Sequence, residues 1–411
     1  MKDPVVHVYM DLQGAPVPVG HLYARFTRGR EGATFEYTQS WLAHPERFAL
    51  EPGLILGEGP HHTPAGKALF GALGDSAPDR WGRNLINRAE QRRSRAEKRT
   101  PRTLREIDYL LGVFDEVRPG ALRFKNALNG PFQSEGQGGA IPPLLALQEL
   151  LEASERVEEE VDTLNDLKLL LAPGSSLGGA RPKASVRDST GRLLIAKFPS
   201  TRDPIQVVQW ESVALSLAAK AGIQVAQHRL VPVGRKKVLL LDRFDRRSGE
   251  RVPFLSALSL LGAADNETHS YLEIAEALRQ YGAAVSEDLP ALWRRIVFNV
   301  LISNTDDHLR NHGFLYAGPR GWRLSPAYDL NPTPTDVHPR LLATPIPLDH
   351  DPTASLDLAF ETAKDFALSP QKARDIASEV KAAVKTWRQE AARIGLKKEA
   401  INRMATAFEH T

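Results

Sequence analysis

Eight residues, Asn304 to Asn311 with the sequence NTDDHLRN, constrain this chain more than any other stretch. They set Asp306 five positions before Asn311, with His308 between them. A carboxylate that takes the proton of an attacking hydroxyl and an amide that holds a divalent cation, five residues apart, suit phosphoryl transfer from a metal nucleotide. A second metal carboxylate belongs on a separate downstream segment. Asp329, in SPAYDLNPT, stands 23 residues after Asp306, beyond the hairpin-like GFLYAGPRGWRL. A fold that serves this pattern has to bring two carboxylates and an amide to one site. Taken alone, DxHxxN also suits a turn that satisfies its own backbone, so the reading depends on what stands upstream.

The chain has 411 residues, 42% hydrophobic and 25% charged, enough for two or three packed subdomains. It has no cysteine, which removes disulfides, thiolate metal sites and cysteine nucleophiles. The opening MKDPVVHVYMDLQG lacks the basic start and unbroken apolar core of a signal peptide. No later run approaches the roughly 18 apolar residues of a membrane span. The expectation is a cytoplasmic protein with no membrane partner. With 53 basic against 50 acidic residues and a formal charge of +3, the chain as a whole is not a dedicated nucleic-acid coat. The local basic run QRRSRAEKRTPRTLRE, Gln91 to Glu106, suits either a solvated helix face or contact with an acidic partner or nucleic acid.

Residues 1 to 60 alternate apolar and polar positions, the period of a small antiparallel sheet, and PGLILGEGPHHTPAG comes after them as a loop. From Lys67 to Leu111 the pattern turns helical, with Trp81, Leu85 and Ile86 on one apolar stripe. Asn129 to Gly139 reads as a Gly-rich connector before an acidic helix. KASVRDSTGRLLIAKF places an apolar run on each side of a DSTG turn. Residues 206 to 222 have helical spacing with a terminal glycine, and strands resume in VAQHRLVPV and KVLLLDRF. Beyond Phe254 the chain reads as largely helical, interrupted by NTDDHLRN and the hairpin.

The upstream parts stand in a telling order. GSSLGGARPK, Gly174 to Lys183, can cradle phosphate through backbone N–H groups, with Ser175, Ser176 and Lys183 adding donors and charge. It is not a Walker loop, since GxxxxGK[ST] is absent. Fourteen residues on, strand-like RLLIAKF carries Lys197, in the manner of the kinase VAIK lysine that pairs with nucleotide phosphates and a helix glutamate. Glu211, among Trp210, Val213 and Ala214 in the next helix, is the natural partner, because a buried acid there needs a cation. An edge-strand lysine reaching water and an exposed helix acid are the plain alternatives. LLLDRFDRR changes abruptly from apolar to charged, as a hinge between lobes would. Backbone groups at Asp242 and Phe244 are there for adenine, and Asp245 for a ribose hydroxyl.

These residues together resemble the HipA family of serine/threonine kinases, the toxins of bacterial toxin–antitoxin pairs, over nearly the whole chain. SSLGGARPK resembles the family's phosphate loop, LLIAKFP its lysine strand, LDRFDR its hinge, NTDDHLRN its catalytic loop and PAYDL its metal segment. YARFTRGREGATFEYTQSWL and GALRF look like its amino-terminal subdomain. The resemblance implies an α+β, two-lobed protein-kinase-like fold, with a β-rich N-terminal lobe carrying an added subdomain and an all-helical C-terminal lobe. The expected parts are an N-terminal subdomain at 1–125, a kinase N-lobe at 126–254 and a C-lobe at 255–411, with the nucleotide between the lobes. It makes Asp306 the catalytic base in a loop shared with His308, Asn311 and Asp329 ligands of Mg2+, and Lys197, Lys183, Gly178 and Gly179 ligands of the ATP phosphates. Ser176, with Ser175 as the alternative, aligns with a serine that family members autophosphorylate to silence themselves. The implied partners are a protein substrate, an aminoacyl-tRNA synthetase in known members, and a helix-turn-helix antitoxin that binds operator DNA with the toxin. PAYDL lacks the glycine of DFG, so a DFG-style flip is not expected.

Four rival readings have their own residues. Gly174 to Gly178 formally matches the GxSxG elbow of serine hydrolases, but Pro182 and a strand come next where an elbow needs a helix. Small-molecule phosphotransferases also carry DxxxxN loops. A catalytically silent corepressor would be expected to lack one of Lys197, Asp306, Asn311 or Asp329. A metal hydrolase using Asp306, Asp307 and His308 lacks an accompanying His/Glu helix pair.

Overall fold

The computed structural model describes residues 5–133, 141–171, 179–265, 267–349 and 351–410. The chain divides into two compact units. The first comprises Met1–Arg202, Val233–Lys236 and Asp242–Leu255, the second Asp203–Pro232, Lys237–Leu241 and Ser256–Thr411.

In the first unit, the period-two pattern builds an antiparallel sheet of β1 (Val5–Leu12), β2 (Ala15–Thr27), β3 (Arg30–Tyr37), β4 (Pro60–His62) and β5 (Leu122–Lys125), ordered β4-β3-β2-β1-β5. Val6, Val8 and Met10 of β1 point into the core. The turns after β1 and β2 are the pairs Gln13-Gly14 and Arg28-Gly29, all at positive φ, as the twist of a two-residue hairpin requires. Where one long helical stretch was expected after Lys67, Pro78 and Pro101 divide it into helices Gly71–Gly74, Arg80–Ala96 and Glu106–Gly112. Asp79 caps the middle one by accepting from Gly82 N, and Trp81 and Leu85 are buried on the expected stripe. Ile86, half-buried, packs at Gly112. β6 (Lys183–Arg187) and β7 (Leu193–Lys197) form the expected hairpin. Its DSTG turn is fixed by the Asp188 carboxylate, which accepts from Thr190 N at 2.9 Å and Arg192 N at 3.0 Å.

The second unit is mainly helical. The helix Val207–Lys220 stops at Gly222, at φ +73 just past its last turn. The helix Val285–Ile302 runs through the core with Leu292, Trp293, Ile296 and Phe298 wholly buried. Ser303, left-handed at φ +50, ends that helix and turns the chain into NTDDHLRN. The strands Gly313–Tyr316 and Trp322–Leu324 pair antiparallel and return the chain to the Asp329 segment. Helices Tyr271–Tyr281, Leu356–Glu361, Pro370–Val384, Trp387–Arg393 and Lys398–Arg403 also belong to this unit. Among the described residues, no helix is long and apolar enough to cross a membrane.

Candidate active site

Within the second unit, NTDDHLRN presents its groups unequally. Asp306 is exposed, whereas Asp307 and Asn311 are buried and His308 half-buried. A single 3-10 turn, Leu309–Asn311, folds the stretch back so that Asn311 Nδ2 donates to the Asp306 carbonyl at 2.7 Å. That bond orients the amide and leaves its Oδ1 buried, without a hydrogen-bond partner among the described residues. A buried carbonyl oxygen in that state costs about 1–3 kcal/mol unless a cation or donor meets it.

The Asp329 segment is tied to the loop on both sides of the carboxylate. Tyr328 OH donates to Arg310 O at 2.7 Å, and Asn331 N donates to Asn304 Oδ1 at 3.2 Å. Asp329 itself is left-handed, at φ +53. Asn331 Oδ1 is a second buried oxygen without a partner among the described residues. Oxygen donors of this kind, one carboxylate and two amides, suit a hard cation such as Mg2+. Asn331 was not singled out from the sequence, although it lies two residues beyond Asp329 in PAYDLN.

A second set of residues missed by sequence reasoning holds the loop in place. The Asp307 carboxylate accepts from Tyr271 OH at 2.6 Å and from Ala343 N at 2.9 Å. Asn299 Nδ2 donates to Tyr271 OH at 3.0 Å, and Asn304 Nδ2 to Asn299 Oδ1 at 3.1 Å. His312 Nε2 donates to the Asp307 carbonyl at 3.0 Å. A continuous chain of hydrogen bonds therefore runs from Asn331 through the helix Val285–Ile302 to Asp307. Burial pushes the Asp307 carboxyl up to about 7, against Tyr271 and backbone donors that favour ionisation. Burial also lowers His312 to about 3, so it is neutral. With its carboxylate engaged in this way, Asp307 is a support and not the metal ligand of the hydrolase reading.

In the first unit, Lys197 ends β7 half-buried, directly opposite Lys183 of β6. Lys183 departs from its expected place on the phosphates. It is 2% exposed, and its ammonium donates to Asp79 Oδ2 at 2.8 Å. Two lysines facing each other on one ladder repel, and Asp79 neutralises one of them. Trp81 Nε1 donates to Lys183 O at 3.0 Å, and Trp81 N to Gly179 O at 3.4 Å, so the start of the Arg80–Ala96 helix holds the exit of the glycine loop. Gly179 lies at φ +93, open to glycine alone without strain. Gly178, Ser175 and Ser176 lie outside the described residues. The next element in the chain is strand β6, not the helix of a hydrolase elbow.

The residues expected at a hinge separate by role. Asp242 is half-buried and accepts from Arg192 Nη1 at 3.3 Å, and Phe244 is half-buried with its ring 6.2 Å from that of Phe254. Asp245 is completely buried, which corrects its expected ribose contact. Its carboxylate takes Arg243 Nε at 2.7 Å, Arg246 Nη1 at 3.0 Å and Gly120 N at 2.8 Å. Burial opposes its ionisation, but Arg243 and Arg246 hold it well below the usual carboxylate range. A carboxylate so surrounded anchors residues 242–246 to the GALRF segment. In the second unit, Glu211 is buried on the helix Val207–Lys220, as its apolar neighbours implied.

The comparisons with known proteins agree with this architecture. HipA of Shewanella oneidensis MR-1, solved with HipB and its operator DNA, superposes with a TM-score of 0.64 over 98% of this chain and 94% of its own, at 18% identity. That likeness gives the fold, which is α+β and kinase-like of the HipA kind. A protein of Haemophilus influenzae provisionally named a kinase is 26% identical over 218 residues, 46% of this chain and 62% of its own length. Two Sinorhizobium fredii proteins, Y4mE and Y4dM, also provisionally named kinases, are each 28% identical, over 36% and 46% of this chain. The matches span 36% and 47% of those two proteins, so less than two thirds of each curated relative is covered. The model of the HipA-like C-terminal domain matches residues 175–387, more than half of the chain, and includes the Lys197 strand, NTDDHLRN and the Asp329 segment. This chain belongs to the family of the HipA-like C-terminal domain.

Proposed function

We propose that the chain is an ATP-dependent serine/threonine protein kinase of the HipA kind. The observation that carries the reading is the Asn311 amide, pinned through Nδ2 to the Asp306 carbonyl with its buried Oδ1 left for a cation. Asn311 and Asp329 hold Mg2+ in this reading, with Asn331 as a further oxygen. When bound, the ion neutralises charge on the transferring phosphoryl group. Lys197 pairs with the nucleotide phosphates. The exposed Asp306 carboxylate accepts the proton of the acceptor hydroxyl. As that oxygen bonds to the γ-phosphorus, the bond to the ADP oxygen breaks. Tyr271, Asn299 and Asp307 contribute by fixing the loop, which spares reorganisation during transfer. Residues 1–125 serve as an added subdomain, 126–254 as the nucleotide-binding lobe and 255–411 as the catalytic lobe.

The acceptors proposed are a protein of the translation apparatus, such as an aminoacyl-tRNA synthetase, and Ser176 or Ser175 of the chain itself. A helix-turn-helix antitoxin and, through it, operator DNA are the proposed partners, supported by the Shewanella assembly. The test is incubation with Mg2+ and labelled ATP beside Asp306→Gln, followed by phosphosite mapping. Label on Ser176 or Ser175 in the wild type and none in the variant is the expected result, with ATP affinity retained. Equal labelling would remove Asp306 from its role. No label in either, with ATP bound, would favour a small-molecule acceptor or a silent corepressor.

A further inference from the structure

The chain is close to neutral overall, yet two stretches of the first unit, residues 25–31 and 91–105, hold ten basic and two acidic side chains. The fold places them side by side. Arg102 N donates to Glu90 Oε1 at 2.9 Å, which folds the chain back along the end of the Arg80–Ala96 helix. Three residues on, the Arg105 guanidinium lies 3.9 Å over the Phe26 ring, and Glu106 N donates to Glu31 Oε2 at 2.8 Å. One basic surface therefore runs from the last turn of that helix to the tip of the β2–β3 hairpin.

Its acids are already engaged. Glu97 pairs with Arg99, and Glu31 accepts the Glu106 N–H. Arg25, Arg28, Arg30, Arg93, Arg95 and Lys98 are exposed, and none makes an ion pair among the described residues. Six uncompensated cations held together on a surface repel one another, a cost that an anionic partner removes.

We infer that this surface binds the phosphate backbone of duplex DNA directly, without an antitoxin. Three features favour that occupant. Nine of the ten cations are arginine, whose planar fork matches phosphate oxygens. A protein partner would need a desolvated apolar centre, which a lone Phe26, 47% exposed with Arg105 over one face and charges around it, does not supply. Single strands bind by stacking successive bases on several open aromatic rings, and here there is one ring, with Arg105 already stacked on it, whereas binding to a duplex backbone needs only charge and donors. The inference stands whether or not the chain transfers phosphate.

The test uses the full chain alone with a fluorescein-labelled DNA duplex of arbitrary sequence, its anisotropy measured from about 50 to 200 mM salt. Wild type is expected to bind, with affinity falling steeply as salt rises. The variant Arg28→Glu/Arg30→Glu/Arg93→Glu/Arg95→Glu should lose about tenfold or more, its salt slope shrinking by about 0.9 for each phosphate it no longer neutralises. The milder Arg→Gln set at the same positions guards against misfolding and should lose less but in the same sense. Lys381→Glu/Lys385→Glu, exposed on and just past the helix Pro370–Val384, should bind as wild type does. Equal affinity of wild type and both patch variants overturns the inference, as does absence of wild-type binding at low salt. Tighter binding to a single strand than to the duplex, or full competition by polyglutamate, also overturns it.

Discussion

Asp329 is where charge and backbone conformation meet in one residue. At φ +53 it occupies a region in which a Cβ crowds its own backbone, and Asp and Asn tolerate that better than other non-glycine residues. The two demands come apart on substitution. Asp329→Asn keeps the shape and the tolerance but removes the charge, so its urea midpoint should stay near wild type while Mg2+-dependent transfer is lost. Asp329→Ala removes both, and should be less stable than the Asn variant by about 1 kcal/mol. Equal midpoints for the two variants would show that the backbone strain is not felt. Transfer retained by the Asn variant would remove Asp329 from the metal. Asn331 sharpens the point, because its partnerless Oδ1 became visible only once the fold placed it.

The β6–β7 ladder shows how an element depends on a residue far from it in sequence. Lys183 and Lys197 oppose each other, and Asp79, 104 positions before Lys183, neutralises the buried member of the pair. Asp79→Ala would leave a buried ammonium facing a like charge, a loss of about 3–5 kcal/mol in denaturant unfolding. Lys183→Met in that background should recover most of the loss, since the uncompensated charge is then gone. An additive double variant would mean that the two groups are not coupled. The sequence made the hairpin legible because turn chemistry is local: Asp188 and Gly191 sit where the chain must reverse. The Asp306, Asn311 and Asp329 spacing was legible for the same reason, since a loop and a return strand fix it. The Asp79 partner, the Arg243 and Arg246 clasp on Asp245, and the Tyr271 support of Asp307 were not. Each joins residues that no periodicity relates, and burial decides whether a lysine or an aspartate meets a ligand or another side chain.

At the scale of the whole molecule, two wholly buried residues, joined where His312 Nε2 donates to the Asp307 carbonyl, act against each other in folding stability. His312 is held down at about 3 from 6.5, and Asp307 is raised to about 7 from 3.8. Between about pH 4 and 6.5 the unfolded chain carries a proton on His312 that the folded chain lacks, which makes stability rise with pH. Over the same window the folded chain carries one on Asp307 that the unfolded chain lacks, which makes stability fall. Each effect approaches about 1.4 kcal/mol per pH unit, so in the wild type they oppose and largely cancel. Asp307→Asn removes the falling contribution, and relative to wild type its stability should climb as pH rises from about 4.5 to 6. His312→Gln removes the rising one, and its stability should drop over the same interval. The measurement is the urea midpoint against pH by tryptophan fluorescence, to which Trp210, Trp293, Trp322 and Trp387 of the second unit contribute. A uniform loss of stability in either variant leaves the test intact, because the slope relative to wild type is what is read. Slopes of the same sign in both variants would show that the two groups do not hold these protonation states in the fold, and the neutral His312 beside NTDDHLRN would have to be abandoned.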